Sequence, residues 1–406
     1  MKLPNFLSFF KSKFSTWLKC EMYAIPLALL VYVSPLPPLS TVNFVRERLK
    51  LSFLDDKANF SGRFRELFEV IKHTHIYGSR KPMEQYVDRV LGELEGELDV
   101  ADYNLSNVYS MVSLFTTLLP TLIVSTLVFI DASSAVNSAL MLSFIAVIVS
   151  FIGLTVYPSE VSFSPPPIRI YLFFLLTPLL YFIMPTETRL LASVSIASIP
   201  SCILTFMHLK HQINELKDEL RIVRTFISSP LNPFSSMKIK PSNLLKKGCL
   251  PIVKAVNTGF YLIALHSEDK QSYSLLNTYF LRYYKFIMNL RRKTRIMLFY
   301  SILESAMSTG IYVFLIVTLA YLSSQAQVMP SGIGLYIPST QEIDYFYANI
   351  DLIITLNATA LSVLTATIRE GNPAYFSLYL FPISLTTLVT YHVTNLLAPS
   401  ILGVTL

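Results

Sequence analysis

The chain has 406 residues, of which 52% are hydrophobic and only 15% charged. Soluble domains carry about 25% charged residues, so this composition argues against an ordinary soluble globular domain and for an integral membrane protein. The net charge of +7, from 33 basic and 26 acidic residues, could suit nucleic acid, but where the charge falls matters more than its sum.

The N-terminal stretch MKLPNFLSFFKSKF is basic and amphipathic, unlike a signal peptide with a clean apolar core. Tyr23–Val33 is apolar but short for a crossing, and SPLPPLS follows it. A membrane-surface or partly inserted segment is expected there, within a basic N-terminal region over 1–56. The alternative is a buried segment of the adjacent domain.

Residues 57–110 read as a first cytoplasmic helical domain. Phe64, Leu67, Phe68 and Ile71 share one helical face. Gly78 to Pro82 reads as a turn, with Pro82 in the first turn of the next helix. Met83, Tyr86, Val87, Val90 and Leu91 form that helix's apolar face, and a third helix is expected from about Asn104.

A hydrocarbon core needs about 20 apolar residues as helix. Seven segments meet or nearly meet this. Four form a first membrane group over 111–207: about Met111–Ile130, Val136–Val156, Arg169–Met184 and Leu190–Met207. Three form a second over 296–406: Ile296–Leu322, Ile350–Thr367 and Phe376–Leu397. The third is short and flanked by prolines.

Residues 208–295 separate the groups and read as a second cytoplasmic helical domain. Ile213, Leu216, Leu220 and Val223 recur at helical spacing. The stretch holds sixteen Lys/Arg and five Asp/Glu, whereas 323–349 holds no Lys or Arg. The positive-inside rule places the N-terminal region and 208–295 in the cytoplasm, and 323–349 and the C-terminus outside. The expected fold class is therefore all-α: a polytopic membrane protein with about seven transmembrane helices and two cytoplasmic helical domains.

Cys20, Cys202 and Cys249 show no metal-ligand spacing and are odd in number. The six histidines form no HExxH or comparable cluster, and neither a Walker A sequence nor a Rossmann glycine fingerprint occurs. No catalytic site, metal or cofactor is expected, and any energised process must draw on a partner.

Each half thus reads as cytoplasmic helices followed by membrane helices. FRELFEVIKHTHIYGSRKPMEQYVDRVLGELEGEL begins the first copy; HLKHQINELKDELRIVRTFISSP and FIMNLRRKTRIMLFYSILESAM belong to the second; LNATALSVLTATIREGNPAYFSLYLF closes the chain. Over about residues 60–397 this layout resembles the archaeal type II secretion system F-domain proteins, the PilC- and TadC-like membrane platforms of type IV pilus-like and archaellum machines. Gly78 matches the glycine of the turn before the amphipathic helix, although the usual second glycine there is absent. Gly371 matches the glycine of the final cytoplasmic turn. The resemblance implies a non-enzymatic platform, commonly a homodimer. A cytoplasmic hexameric secretion-type ATPase docks on it, and pilin-like subunits pass beside its spans.

Arg221, Arg224, Lys246, Lys247 and Lys254, together with Arg291, Arg292, Lys293 and Arg295, read as a basic surface. Solvated faces and attraction to anionic lipid headgroups account for it, as does docking of an acidic ATPase surface. YFLRYYKF could stack on nucleic acid, but packing and interfacial anchoring explain it more simply, and no nucleic-acid partner is expected. Glu304, about nine residues into span five, has three readings: a helix-packing hydrogen bond, a role in subunit passage, or ion transport. Asp351 reads as solvated near the outer boundary. The sequon at Asn357 falls inside span six, so glycosylation is not expected. Gly310, in SAMSTG, suits either intrachain packing or a dimer or pilin contact. A secondary transporter or channel, or a subunit of a DNA-translocation machine, are the alternative functions.

Overall fold

A computed structural model describes residues 20–49, 51, 54, 62–128, 130–184, 187–228, 244–245, 248–266, 270–326 and 338–402. No strand occurs among them. The helices in chain order are α1 (Cys20–Val33), α2 (Pro38–Leu49), α3 (Gly62–Tyr77), α4 (Lys81–Ser113), α5 (Leu119–Leu127), α6 (Ala132–Val149), α7 (Gly153–Val156), α8 (Thr177–Tyr181), α9 (Arg189–Ser228), α10 (Pro251–His266), α11 (Lys270–Lys293), α12 (Ile296–Ala326), α13 (Thr340–Glu370) and α14 (Phe376–Ile401). A π-helical turn, Leu114–Leu118, links α4 to α5, and a 3-10 stretch, Ile168–Leu176, leads into α8.

The chain divides into two compact units. The first comprises 1–100, 158–164 and 209–290; the second comprises 101–157, 165–208 and 291–406. The two stretches expected as separate cytoplasmic domains thus contribute to one unit.

In the first unit α1 is a core helix. Ala24, Ile25, Leu27, Ala28, Leu29, Leu30, Val31 and Val33 are each no more than 3% exposed. This corrects the expectation of a membrane-surface segment at 23–33. A helix apolar on every side can be buried either by lipid or by protein. Here protein does it: Tyr32 meets Tyr279 edge-on at 5.7 Å, and Gly259 of α10 lets Leu30 and Leu276 approach its backbone. The stripes expected from periodicity point the same way, since Phe64, Leu67, Phe68 and Ile71 of α3 and Met83, Tyr86, Val87, Val90 and Leu91 of α4 are all buried. Gly78 has φ +67, and its N–H donates to the Thr74 carbonyl at 3.1 Å. It is a left-handed helix stop that an L side chain would strain. The expected break before a third helix near Asn104 does not occur. Leu94, Leu105, Val108 and Val112 continue the buried stripe, so α4 runs unbroken to Ser113.

The first unit also buries charge. Arg63 reaches Glu160 through Nη1 at 2.5 Å and Glu97 through Nη2 at 2.5 Å. The Tyr86 hydroxyl donates to the Arg63 carbonyl at 2.8 Å, and the Tyr283 hydroxyl to that of Glu160 at 2.5 Å. Glu21 of α1 is 7% exposed and lies against Gly62, where a Cβ would sit 2.5 Å from its Oε1. At the surface Arg282 grips Glu95 with two bonds, at 2.5 and 2.8 Å. Four of the five aromatic residues of YFLRYYKF, Tyr279, Phe280, Tyr283 and Phe286, are buried, and Tyr284 is partly exposed.

The second unit is built around α13. Of its most apolar window 78% is buried, against 22–44% for the other apolar helices, so α13 is the central element. Its buried residues include Asn357, Ala358, Ala360, Ser362, Thr365, Ala366 and Thr367, and such small side chains let neighbouring backbones approach. Gly153 shows how close: a Cβ there would lie 2.6 Å from Thr367 Oγ1. Gly310 is less crowded, with Thr390 and Thr394 of α14 at 3.7 Å from its notional Cβ, which is intrachain packing. Hydroxyl pairs stitch the helices: Ser301 with Thr365 at 2.7 Å, Ser305 with Thr387 at 2.5 Å, and Thr205 with Ser377 at 2.8 Å.

Six helical stretches are long and apolar enough to cross a membrane: Tyr103–Leu127, Ala132–Ile152, Arg189–Thr225, Gln271–Ser324, Thr340–Glu370 and Pro373–Ile401. The seventh expected, Arg169–Met184, falls short as helix. Ile168–Tyr181 is a shorter apolar segment, wound mostly as 3-10 helix. The Tyr171 hydroxyl donates to the Ala374 carbonyl just beyond the C-terminus of α13. The Leu190 and Leu191 N–H groups donate to Asp351, at 2.6 and 3.0 Å. Asp351 to Glu370 spans roughly 28 Å at 1.5 Å per residue. Asp351 is therefore no merely solvated carboxylate. It caps the first turn of α9, where unpaired N–H groups and the helix dipole favour an anion.

Candidate functional site

Glu304 is the ninth residue of α12 and only 8% exposed. Three hydroxyls donate to its carboxylate: Tyr109 to Oε2 at 2.7 Å, Thr117 to Oε1 at 3.0 Å, and Thr116, also to Oε1. The π-helical turn Leu114–Leu118 makes this convergence possible. Its extra residue widens the turn, so neighbouring threonines point toward one acceptor, and such bulges frequently mark functional sites. The widened turn is tied down by Asn357 of α13, whose Nδ2 donates to the Thr116 carbonyl at 3.1 Å. Asn357 is 1% exposed, so the sequon there is a buried packing amide. One acid on α12 thus bonds α4 and the π turn, and Asn357 ties that turn to α13.

A second polar cluster surrounds the final turn. Glu370 is fully buried; Arg291 Nη2 approaches its Oε1 at 3.1 Å, and the Tyr379 hydroxyl donates to it at 2.6 Å. The Arg369 guanidinium lies 5.4 Å from the centre of the Tyr379 ring. Gly371 has φ +68 and its N–H donates to the Thr367 carbonyl, so it is the expected helix-ending glycine. Arg291 thus serves an internal ion pair and is only partly available to a partner. Arg292, Lys293 and Arg295 are exposed.

The other basic residues of the expected docking surface belong to the first unit. Arg221 and Arg224 are exposed on α9, with Arg221 3.3 Å from Asp218. Lys254 is half-buried on α10. Lys246 and Lys247 lie outside the described residues.

Three side chains that show no metal-ligand spacing as a set in the sequence come together in the first unit. His211 and Glu215 stand one turn apart on α9, with Nε2 and Oε1 separated by 3.3 Å. Cys249 joins them, and one donor atom of each residue lies within 4.8 Å of the others. Burial first, then the Glu215 carboxylate, pushes the Cys249 thiol up, while Lys254 opposes this. The H-x-x-x-E spacing was visible in the sequence, but nothing in it placed Cys249 there.

Comparison with protein-family models, with characterised proteins and with solved structures finds no match for this chain.

Proposed function

We propose that this protein is a non-catalytic, multi-pass membrane platform that couples a cytoplasmic ATPase to assembly of a pilus-like filament. The observation that carries this reading is the division of labour along the chain. Three separated stretches of sequence build one helical unit, and α4 and α9 each contribute residues to both units. The exposed Arg221 and Arg224, with Arg292, Lys293 and Arg295, supply positive charge for steering an acidic ATPase surface.

The same organisation supports seven crossings. Residues 158–164 and 209–290 share a unit with 1–100, which favours an even number of crossings between 164 and 209. Ile168–Tyr181 supplies the second of that pair beside α9. A 3-10 helix rises about 2.0 Å per residue, which lets this short segment reach farther than an α-helix of equal length. The N-terminal region and 208–295 are then cytoplasmic, and the loop around 323–349 external. In a background lacking the native cysteines, Glu187→Cys is expected to react with an impermeant maleimide on intact cells. Pro165→Cys should react only after permeabilisation. Labelling of both from one side would overturn the seventh crossing.

Purification in mild detergent with mass spectrometry tests the function. A secretion-type ATPase and pilin-like proteins are expected to come along, with the ATPase lost on joint Arg221→Glu and Arg224→Glu reversal. Recovery of the protein alone, with Glu304-dependent solute flux in vesicles, would replace the platform by a transporter.

A further inference from the structure

We infer that His211, Glu215 and Cys249 form a Zn2+ site that fastens the turn before α10 to α9. The donor set is the first argument. Imidazole, carboxylate and thiolate are the three protein ligands zinc uses, and three of them leave a fourth position for water. A thiolate selects against hard cations such as Mg2+ and Ca2+.

Geometry is the second argument. Zinc bonds of about 2.0–2.3 Å place tetrahedral donors roughly 3.3–3.7 Å apart. His211 Nε2 and Glu215 Oε1 are already 3.3 Å apart, and all three donors fall within 4.8 Å. The His211 side chain is 63% exposed, so its ring can turn to close the remaining gap.

The surroundings are the third. The Cys249 N–H donates to Glu215 Oε2 at 3.0 Å, which orients the carboxylate and leaves Oε1 for the metal, the outer-shell arrangement common to zinc sites. Ser164 Oγ donates to the Cys249 carbonyl at 3.4 Å. Gln212 holds Ser164 in turn, accepting from its N–H at 3.2 Å and donating to its carbonyl at 3.0 Å. Gly248, at φ +115, turns the chain so that Cys249 faces α9. Lys254 is the opposing charge nearby. On binding, the Cys249 thiol proton leaves to solvent and the sulfur bonds the metal, with no change of oxidation state.

The experiment is titration of the tag-free, full-length protein in detergent with Co2+, followed by displacement with Zn2+. One equivalent should give a near-ultraviolet thiolate-to-cobalt band and intense visible bands of a four-coordinate ion. Cys249→Ser should abolish the near-ultraviolet band, and His211→Ala should weaken binding by about tenfold or more. Cys20→Ser and Cys202→Ser should leave both spectra intact. Helical circular dichroism would confirm that each variant remains folded. A band that survives Cys249→Ser, or weak, non-stoichiometric binding of an adventitious ion only, would overturn the site.

Discussion

Arg63→Ala is expected to destabilise the first unit by about 3–5 kcal/mol, because it strands buried carboxylates that one guanidinium now neutralises. Glu160 is only 6% exposed in its side chain, and its contact to Arg63 is 2.5 Å. Arg63→Lys should recover only part of the loss, since a point ammonium cannot bridge Glu160 and Glu97 as the planar fork does. Denaturant unfolding of the full chain in detergent measures this. A second replacement, Glu160→Gln in the Arg63→Ala background, should restore much of the stability, and strict additivity of the two losses would contradict the pairing.

The same network makes stability depend on pH through Glu21. Burial first, and then the Glu160 carboxylate, raise its pKa to about 7, with Arg63 pulling the other way. A carboxyl that keeps its proton longer when folded than when unfolded contributes stability at low pH. That contribution is complete below the unfolded pKa of about 4.5 and is lost as pH rises through about 7, a change on the order of 3 kcal/mol. Glu95 runs in the opposite sense. Its hydrogen bond to Arg282 lowers its pKa, so its contribution fades as pH falls. Glu21→Gln should therefore be more stable than the wild type at pH 8 and nearly equal to it at about pH 5. A difference independent of pH would remove Glu21 from this account.

Glu304→Ala is the second large effect. It removes the shared acceptor of Tyr109, Thr116 and Thr117. Thr116 also bonds the Val112 carbonyl at 3.1 Å and retains a partner, so the cost falls mainly on the Tyr109 and Thr117 hydroxyls and the vacated space. A loss of about 3 kcal/mol is expected, read as a lower thermal midpoint in detergent. Glu304→Gln keeps one carbonyl acceptor and should lose about 1 kcal/mol. The two variants also separate packing from subunit passage. On the proposed platform reading, if Glu304→Gln folds and recovers the same pilin-like proteins as the unaltered chain, the acid serves packing. If it folds and loses them, the acid serves passage.

Much of the architecture was legible in sequence because it is written in local patterns. Apolar runs near 20 residues mark the long helices, and three-and-four spacing marks the buried faces of α3 and α4. Gly78 and Gly371 each carry the left-handed turn that ends a helix. Local pattern was silent where the environment decides. The composition of Cys20–Val33 suits lipid and protein core equally, and only the packing of Tyr32 on Tyr279 and Leu30 on Gly259 distinguishes them. The largely 3-10 winding of Ile168–Tyr181 was likewise not legible in its apolar composition.

The polar sites lay further beyond the sequence. Arg63 meets Glu160 across 97 positions, Tyr109 meets Glu304 across 195, and Cys249 meets Glu215 across 34. Hydropathy and helical period constrain neighbours within a few turns, so they determined which segments are helices and which faces are apolar. Which buried charge finds which partner depends on how those helices pack, because burying an unpaired polar group is costly and only the tertiary arrangement brings the compensating donor within hydrogen-bonding distance.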